Sequence, residues 1–170
     1  TKLPSRLLCP STAKHSDLKS FEEHLERKGS RTNSTTSRGT RYEYRVMDTL
    51  GRLEFKLERT GRPNDRGIDH RGFWELGDKS EIRVLLQCKL SKPRPSMIRE
   101  LHCRTGAPSG WDTNSTMSFL VCAKPATSGV MSALKTSPLP MCFMQISEEG
   151  VLEGFEWNKV AEDMYLTGLT

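Results

Sequence analysis

A chain of 170 residues, 35% hydrophobic and with a mean hydropathy of −0.58, is long enough to bury one respectable core and gives no reason to expect a second. No uncharged apolar run approaches the ~18 residues that a membrane span requires, which excludes a helical membrane protein. The formal charge of +5 is unevenly held, with eight Lys/Arg against four Asp/Glu in residues 1–38, or +4, which leaves +1 for the remainder.

Residues 1–38 are rich in Ser and Thr and read as a basic arm ahead of a domain spanning 39–170. Within the arm, Leu18, Phe21 and Leu25 fall at i, i+3 and i+7, predicting a short helix over about 16–28 that faces either the core or a partner. A basic, hydroxyl-rich beginning also suits what remains near a mitochondrial transit peptide, although Glu22, Glu23 and Glu26 count against it. From Thr40 the signals sharpen. Thr40, Arg41, Tyr42 and Glu43 have the form of a capping box, Tyr42, Val46, Met47 and Leu50 share one face, and Gly51 supplies a stop. Residues 53–59 alternate as a strand, followed by a turn-rich stretch from Gly61 to Gly67.

Residues 68–76 and 82–90 read as two further strands joined at Gly77-Asp78, and Val84-Leu85-Leu86 suggests that the second is covered on both faces. After Pro93 and Pro95 the pattern is helical over 96–105, Gly106 ends it, and 107–116 form a loop. Residues 117–122 are a buried apolar strand, Thr127 caps a helix bearing Val130, Ala133 and Leu134, and 141–146 give another strand. The chain closes with 151–157 and a helix capped by Asn158 that runs to Leu166. Strand and helix alternate, which predicts an α/β domain with a central mixed sheet flanked by helices.

The five cysteines are odd in number, lack CxxC spacing and sit mostly in apolar stretches, so they read as reduced structural thiols of an intracellular reducing compartment. His102 and Cys103 have no partners at zinc-finger spacing.

Chemistry concentrates on the hairpin. Hydrolysis of a phosphodiester with a divalent ion needs oxygens that hold the metal and a cation that steadies the attacking water and the developing charge. Asp69 lies early in one strand. Gln87 and Lys89 lie near the end of its partner and, being two apart, point to one face while Cys88 points to the other. A solvated strand end is the bland alternative, but Gln and Lys ending an apolar run depart from what a core strand ordinarily does. Residues 86–106 carry five basic side chains against Glu100, whereas 148–170 carry six acidic ones against Lys159. A basic pole beside the hairpin suits a phosphate-bearing polymer, and an unevenly charged solvated surface explains it as well.

These segments resemble the Mrr-like branch of the PD-(D/E)xK nuclease superfamily. The likeness is carried by Gly39-Thr40-Arg41-Tyr42-Glu43, by Asn64-Asp65-Arg66-Gly67-Ile68-Asp69, by Gln87-Cys88-Lys89, and by Ala126-Thr127-Ser128-Gly129 opening a helix after an apolar strand. It covers residues 39 to about 168. Within that breadth the chain is most similar to the fungal mitochondrial family called "required for respiratory growth protein seven", through Arg99-Glu100-Leu101 and Trp157-Asn158. The resemblance implies a restriction-endonuclease-like core and a mitochondrial matrix location. It implies Mg2+, with Mn2+ able to substitute, held by Asp69 and Gln87, with Lys89 handling the water. Glu43 would complete the shell directly or through water, and the backbone carbonyl of Cys88 would add a ligand. Gln where a Glu is common removes a negative charge, and Asn64 and His70 depart from the pattern.

Several residues carry a second explanation. Glu43 is equally explained as the third residue of a capping box, Asp65 is better explained by an Asx turn, and capping alone explains Thr127 equally well. Arg62, Arg66, Arg71, Lys92, Arg94, Arg99 and Lys124 are candidate phosphate contacts, as are Thr127 and Ser128 at a helix start. Trp74 and Trp157 read as packing, leaving Trp111 open as a stacking residue. The resemblance thus implies a metal-dependent endonuclease acting on DNA in preference to RNA, alone, as a homodimer or in a larger nucleoprotein assembly. The rivals are a non-cutting nucleic-acid-binding or assembly module with the same fold, and a subunit of a mitochondrial ribonucleoprotein anchored by the arm.

Overall fold

In the computed structural model, residues 15–27, 34–60, 67–77, 80–104 and 115–168 are described. The elements follow as α1 (Leu18–Arg27), α2 (Thr35–Gly51), β1 (Phe55–Arg59), β2 (His70–Leu76), β3 (Ser80–Lys89), α3 (Pro95–Arg104), β4 (Thr116–Cys122), α4 (Ser128–Thr136), β5 (Met141–Ile146), β6 (Leu152–Trp157) and α5 (Lys159–Ala161), the last running into a π turn, Glu162–Leu166. The six strands lie side by side in chain order. β1, β2 and β3 pair antiparallel, β3, β4 and β5 are parallel, and β6 returns antiparallel. The sheet is mixed because α3 and α4 carry the chain back between parallel neighbours, as such connections require.

Helices cover both faces. Tyr42, Val46 and Leu50 of α2, with Ala161 and Leu166, pack on Val84, Leu86, Cys88, Phe119, Val121 and Met144. On the other face Met97, Ile98 and Leu101 of α3 and Val130 and Leu134 of α4 pack on Leu85, Leu120 and Phe143. β4 and β5, covered twice, are buried almost throughout, whereas the edge strand β6 has only half-buried and exposed residues. Trp74 belongs to the core, stacked on Phe55 at 4.6 Å, and Trp157 packs on Phe155 at 5.0 Å.

The expected capping box is overturned. α2 starts at Thr35, and its N-cap is Ser34, whose side chain accepts from Ser37 N. Thr40 therefore stands in mid-helix, and the anticipated boundary between residues 38 and 39 falls inside α2. Gly51 is helical, Arg52 is the C-cap, and the left-handed residue is Glu54, at φ 65°. β1 consequently begins two residues later than the sequence pattern suggests, and Leu53 stands 40% exposed in the turn. The other cap readings hold: Thr127 accepts from Val130 N at 3.3 Å and Asn158 from Ala161 N at 2.9 Å. The helix anticipated in the arm is α1, which rests on α2 through Phe21, Leu25 and Tyr44. The turn at Arg62–Arg66, Asp78, Gly106 and the Trp111 loop lie outside the described residues.

Candidate active site

β2 and β3 are antiparallel neighbours with His70 opposite Leu86, so Asp69, immediately before β2, arrives beside the end of β3. Leu86 and Cys88 belong to the α2-side core and Leu85 to the α3–α4 side. Strand alternation then assigns Gln87 and Lys89 to the α3–α4 side. The carboxylate of Asp69 is pinned: Oδ2 accepts from Cys88 N at 2.7 Å, while Asp69 N donates to Leu86 O at 2.8 Å. Its charge thus sits at the backbone between Gln87 and Lys89.

Gln87 is 1% exposed and donates from Nε2 to Gly67 O at 2.9 Å. That bond settles the amide's orientation, because only the nitrogen can face a carbonyl oxygen. Oε1 is left buried with no hydrogen-bond partner among the described residues. Such an orphan costs about 1–3 kcal/mol, and its retention calls for an explanation. Gly67 reaches Gln87 from a left-handed turn at φ 77°, a conformation that favours glycine. Lys89, half-buried, is the last residue of β3.

Behind this edge lie two neutral groups. Burial, reinforced by Asp69 and Glu43, pushes the Cys88 thiol well above its ordinary range, and its side chain belongs to the α2-side core, so the backbone carbonyl is what this residue would offer a metal. His70 is fully buried, and burial with the nearby Arg59 lowers its pKa to about 3. Its Nδ1 lies 3.7 Å from Cys88 Sγ, and its Nε2 has no hydrogen-bond partner among the described residues. The imidazole following Asp69 therefore brings no positive charge to the site.

Glu43 projects from α2 and is engaged elsewhere. Arg59 Nε lies 2.6 Å from its Oε2, with both side chains under one-fifth exposed, and Arg59 also reaches Thr40 Oγ1 at 3.4 Å and lies over the Tyr44 ring. Arg59 occupies Oε2, so a place for Glu43 in a metal shell would fall to Oε1 or require that ion pair to open. Arg59 escaped the sequence reading, yet it carried a signal. The β1 series Phe55, Leu57, Arg59 points toward α2, and a charge at an inward position demands a carboxylate on the covering helix.

The candidate phosphate contacts divide. Arg71 is paired with Glu58 on the neighbouring strand. Lys92, Arg94, Arg99, Lys124 and Ser128 are exposed. Lys92, Arg94, Lys124 and Ser128 follow the carboxyl ends of the parallel strands β3 and β4, the same edge as Lys89. Thr127 is occupied as the cap of α4. Arg62, Arg66 and Trp111 fall outside the described residues.

These donors fit a hard divalent cation in kind, since they comprise one carboxylate and one unpartnered amide oxygen, with an ammonium alongside. No group of three His, Cys, Asp or Glu among the described residues could hold a metal. An ion at this edge would therefore keep much of its hydration, which suits Mg2+.

Comparison with known proteins adds a family. The family model described as required for respiratory growth protein 7 matches residues 34–83 and 77–170. An uncharacterized mitochondrial protein of Schizosaccharomyces pombe is 31% identical over 154 residues, 86% of this chain and 61% of that protein. The chain thus spans about three-fifths of that relative's length. No solved structure matches.

Proposed function

The chain belongs to the required for respiratory growth protein 7 family and is mitochondrial, as its fission-yeast relative is named to be, and from that premise we propose that it is a metal-dependent endonuclease of the Mrr-like PD-(D/E)xK type, hydrolysing phosphodiester bonds in DNA. The observation that carries this reading is the orphaned Oε1 of Gln87 beside the pinned carboxylate of Asp69. A buried acceptor without a donor is a liability in a purely structural strand end and an asset where a cation must be held.

Asp69 and Gln87 would hold the ion, which when bound supplies charge neutralisation and lowers the pKa of a coordinated water. The Cys88 amide orients the Asp69 carboxylate, and Gly67 orients the Gln87 amide, so neither group must reorganise when charge develops. The ammonium of Lys89, at the strand end, orients the attacking water and meets the charge on the phosphoryl oxygens. Purified protein should nick DNA with Mg2+ or Mn2+, and Lys89→Ala should lower the rate by at least about a hundredfold while duplex affinity stays within about twofold. Cleavage by the variant at the wild-type rate would refute the assignment.

One observation favours a second reading, a nucleic-acid-binding or assembly module that keeps this architecture without cutting. Glu43 is tied to Arg59, and no group of three His, Cys, Asp or Glu among the described residues could hold a metal. On that reading DNA binding persists, wild-type protein fails to nick under either ion, and Lys89→Ala changes nothing.

A further inference from the structure

Along α2, Arg38, Arg41 and Arg45 follow one another at i, i+3 and i+7, which sets three guanidinium groups on one helix face. With Tyr42, Glu148 and Glu149 they line a depression of about 280 Å3 between α2 and the turn joining β5 to β6. Tyr42 clamps helix to sheet: its hydroxyl donates to Ile146 O at 2.8 Å. Like charges at this spacing repel, and the surrounding acids meet them only in part. Arg38 Nη2 lies 3.1 Å from Glu148, with the side chains 55% and 41% exposed, and Arg41 Nε lies 3.3 Å from Glu22 of α1. Arg45 belongs to neither pair. The Arg38–Glu148 pair is exposed, weak and screened, so a phosphate, matched to the guanidinium fork, can displace Glu148, whereas Arg41 is half-buried against Glu22.

The depression lies on the α2 side of the sheet, at the end where β3, β4 and β5 finish, whereas Gln87 and Lys89 of the candidate active site belong to the opposite, α3–α4 side. Lys89, Cys122 and Ile146 end the parallel strands β3, β4 and β5, and the β5–β6 turn continues directly from Ile146. Ser147 foremost, with Arg45 and Lys124 assisting, holds the Glu149 carboxyl below its ordinary range, so both cations stand around that turn.

We propose that the cleft of Arg38, Arg41 and Arg45 is a phosphate subsite that holds the DNA backbone on the α2 side of the sheet. Arg45 grips the phosphate oxygens, and Glu148 competes for Arg38. The inference rests on the nuclease reading for its ligand, DNA, but is measured without cleavage.

The test is binding of a DNA duplex of about 20 base pairs in EDTA across a salt series, by fluorescence anisotropy. Arg45→Ala should weaken affinity about fivefold to tenfold and lower the salt slope by about one. Glu148→Gln, which frees Arg38, should tighten binding and steepen the slope, a gain that misfolding cannot imitate. Inorganic phosphate is titrated in parallel. If both variants alter phosphate affinity and leave the duplex untouched, the cleft serves a small anion and the proposal falls. It falls also if the wild type does not bind the duplex, or if both variants bind it as the wild type does. In the last case, loss of nicking in Lys89→Ala would leave the nuclease reading standing. Binding changes as expected with no nicking by the wild type would remove that reading and keep the subsite.

Discussion

Gln87 is where the residue scale decides most. Its spacing from Lys89 and its place at the end of an apolar run are visible in the chain itself. The pattern cannot tell that Gly67 claims the amide nitrogen and leaves the oxygen alone, because the approach of the Gly67 turn is a tertiary event. Gln87→Glu tests what that oxygen is for. In EDTA the variant buries an unpaired carboxylate against the Gly67 carbonyl, which should lower the melting temperature by roughly 5–10 °C. If the position is a ligand, millimolar Mg2+ should restore most of that loss and stabilise the variant more than the wild type, since an ion that binds only the folded state raises stability by mass action. Thermal melts with and without Mg2+ read this directly. A melting temperature indifferent to Mg2+ in both proteins would remove Gln87 from any metal site.

At the scale of elements, both strands of the candidate-site hairpin and the buried β4 and β5 were readable, because alternation and unbroken apolar runs report burial directly. The start of α2 was not. Gly39 resembles punctuation and Thr40 through Glu43 mimic a capping box, while Ser34 through Ser37 have poor helix propensity. What extends the helix is tertiary: Ser37 is buried, its hydroxyl donates to Ser34 O at 2.9 Å, and Arg38 reaches Glu148. Two substitutions separate the alternatives. Ser34→Ala should cost about 1 kcal/mol as a lost cap. Gly39→Ala, in mid-helix with nothing within 4 Å of a new Cβ, should gain about 0.5–1 kcal/mol. Urea denaturation measures both, and a helix starting at Thr40 would show neither effect.

For the whole molecule, the alternation of strands and helices led to the three-layer α/β architecture, whereas the relation of α1 to the rest depended on which of two faces its stripe met. The structure sets α1 on the outer side of α2, with Phe21 6% exposed and its ring 5.8 Å from that of Tyr44, and with Glu22 on Arg41. This small satellite core is separate from the two that sandwich the sheet. Burying Phe21 and Leu25 contributes about 1.5–3 kcal/mol each before ten residues of helix are ordered, so the net docking energy of α1 is a few kcal/mol at most. Phe21→Ala can cost no more than that docking energy, because α1 can detach while the sheet stays intact. The expected result is a loss of about 2 kcal/mol confined to α1, seen as faster amide exchange over its residues with protection in β3, β4 and β5 unchanged. Mg2+-dependent nicking should persist at the wild-type rate, because Asp69, Gln87 and Lys89 are positioned by β2, β3 and the Gly67 turn rather than by α1. Nicking that disappears together with α1 protection would instead make the arm a working part of the site.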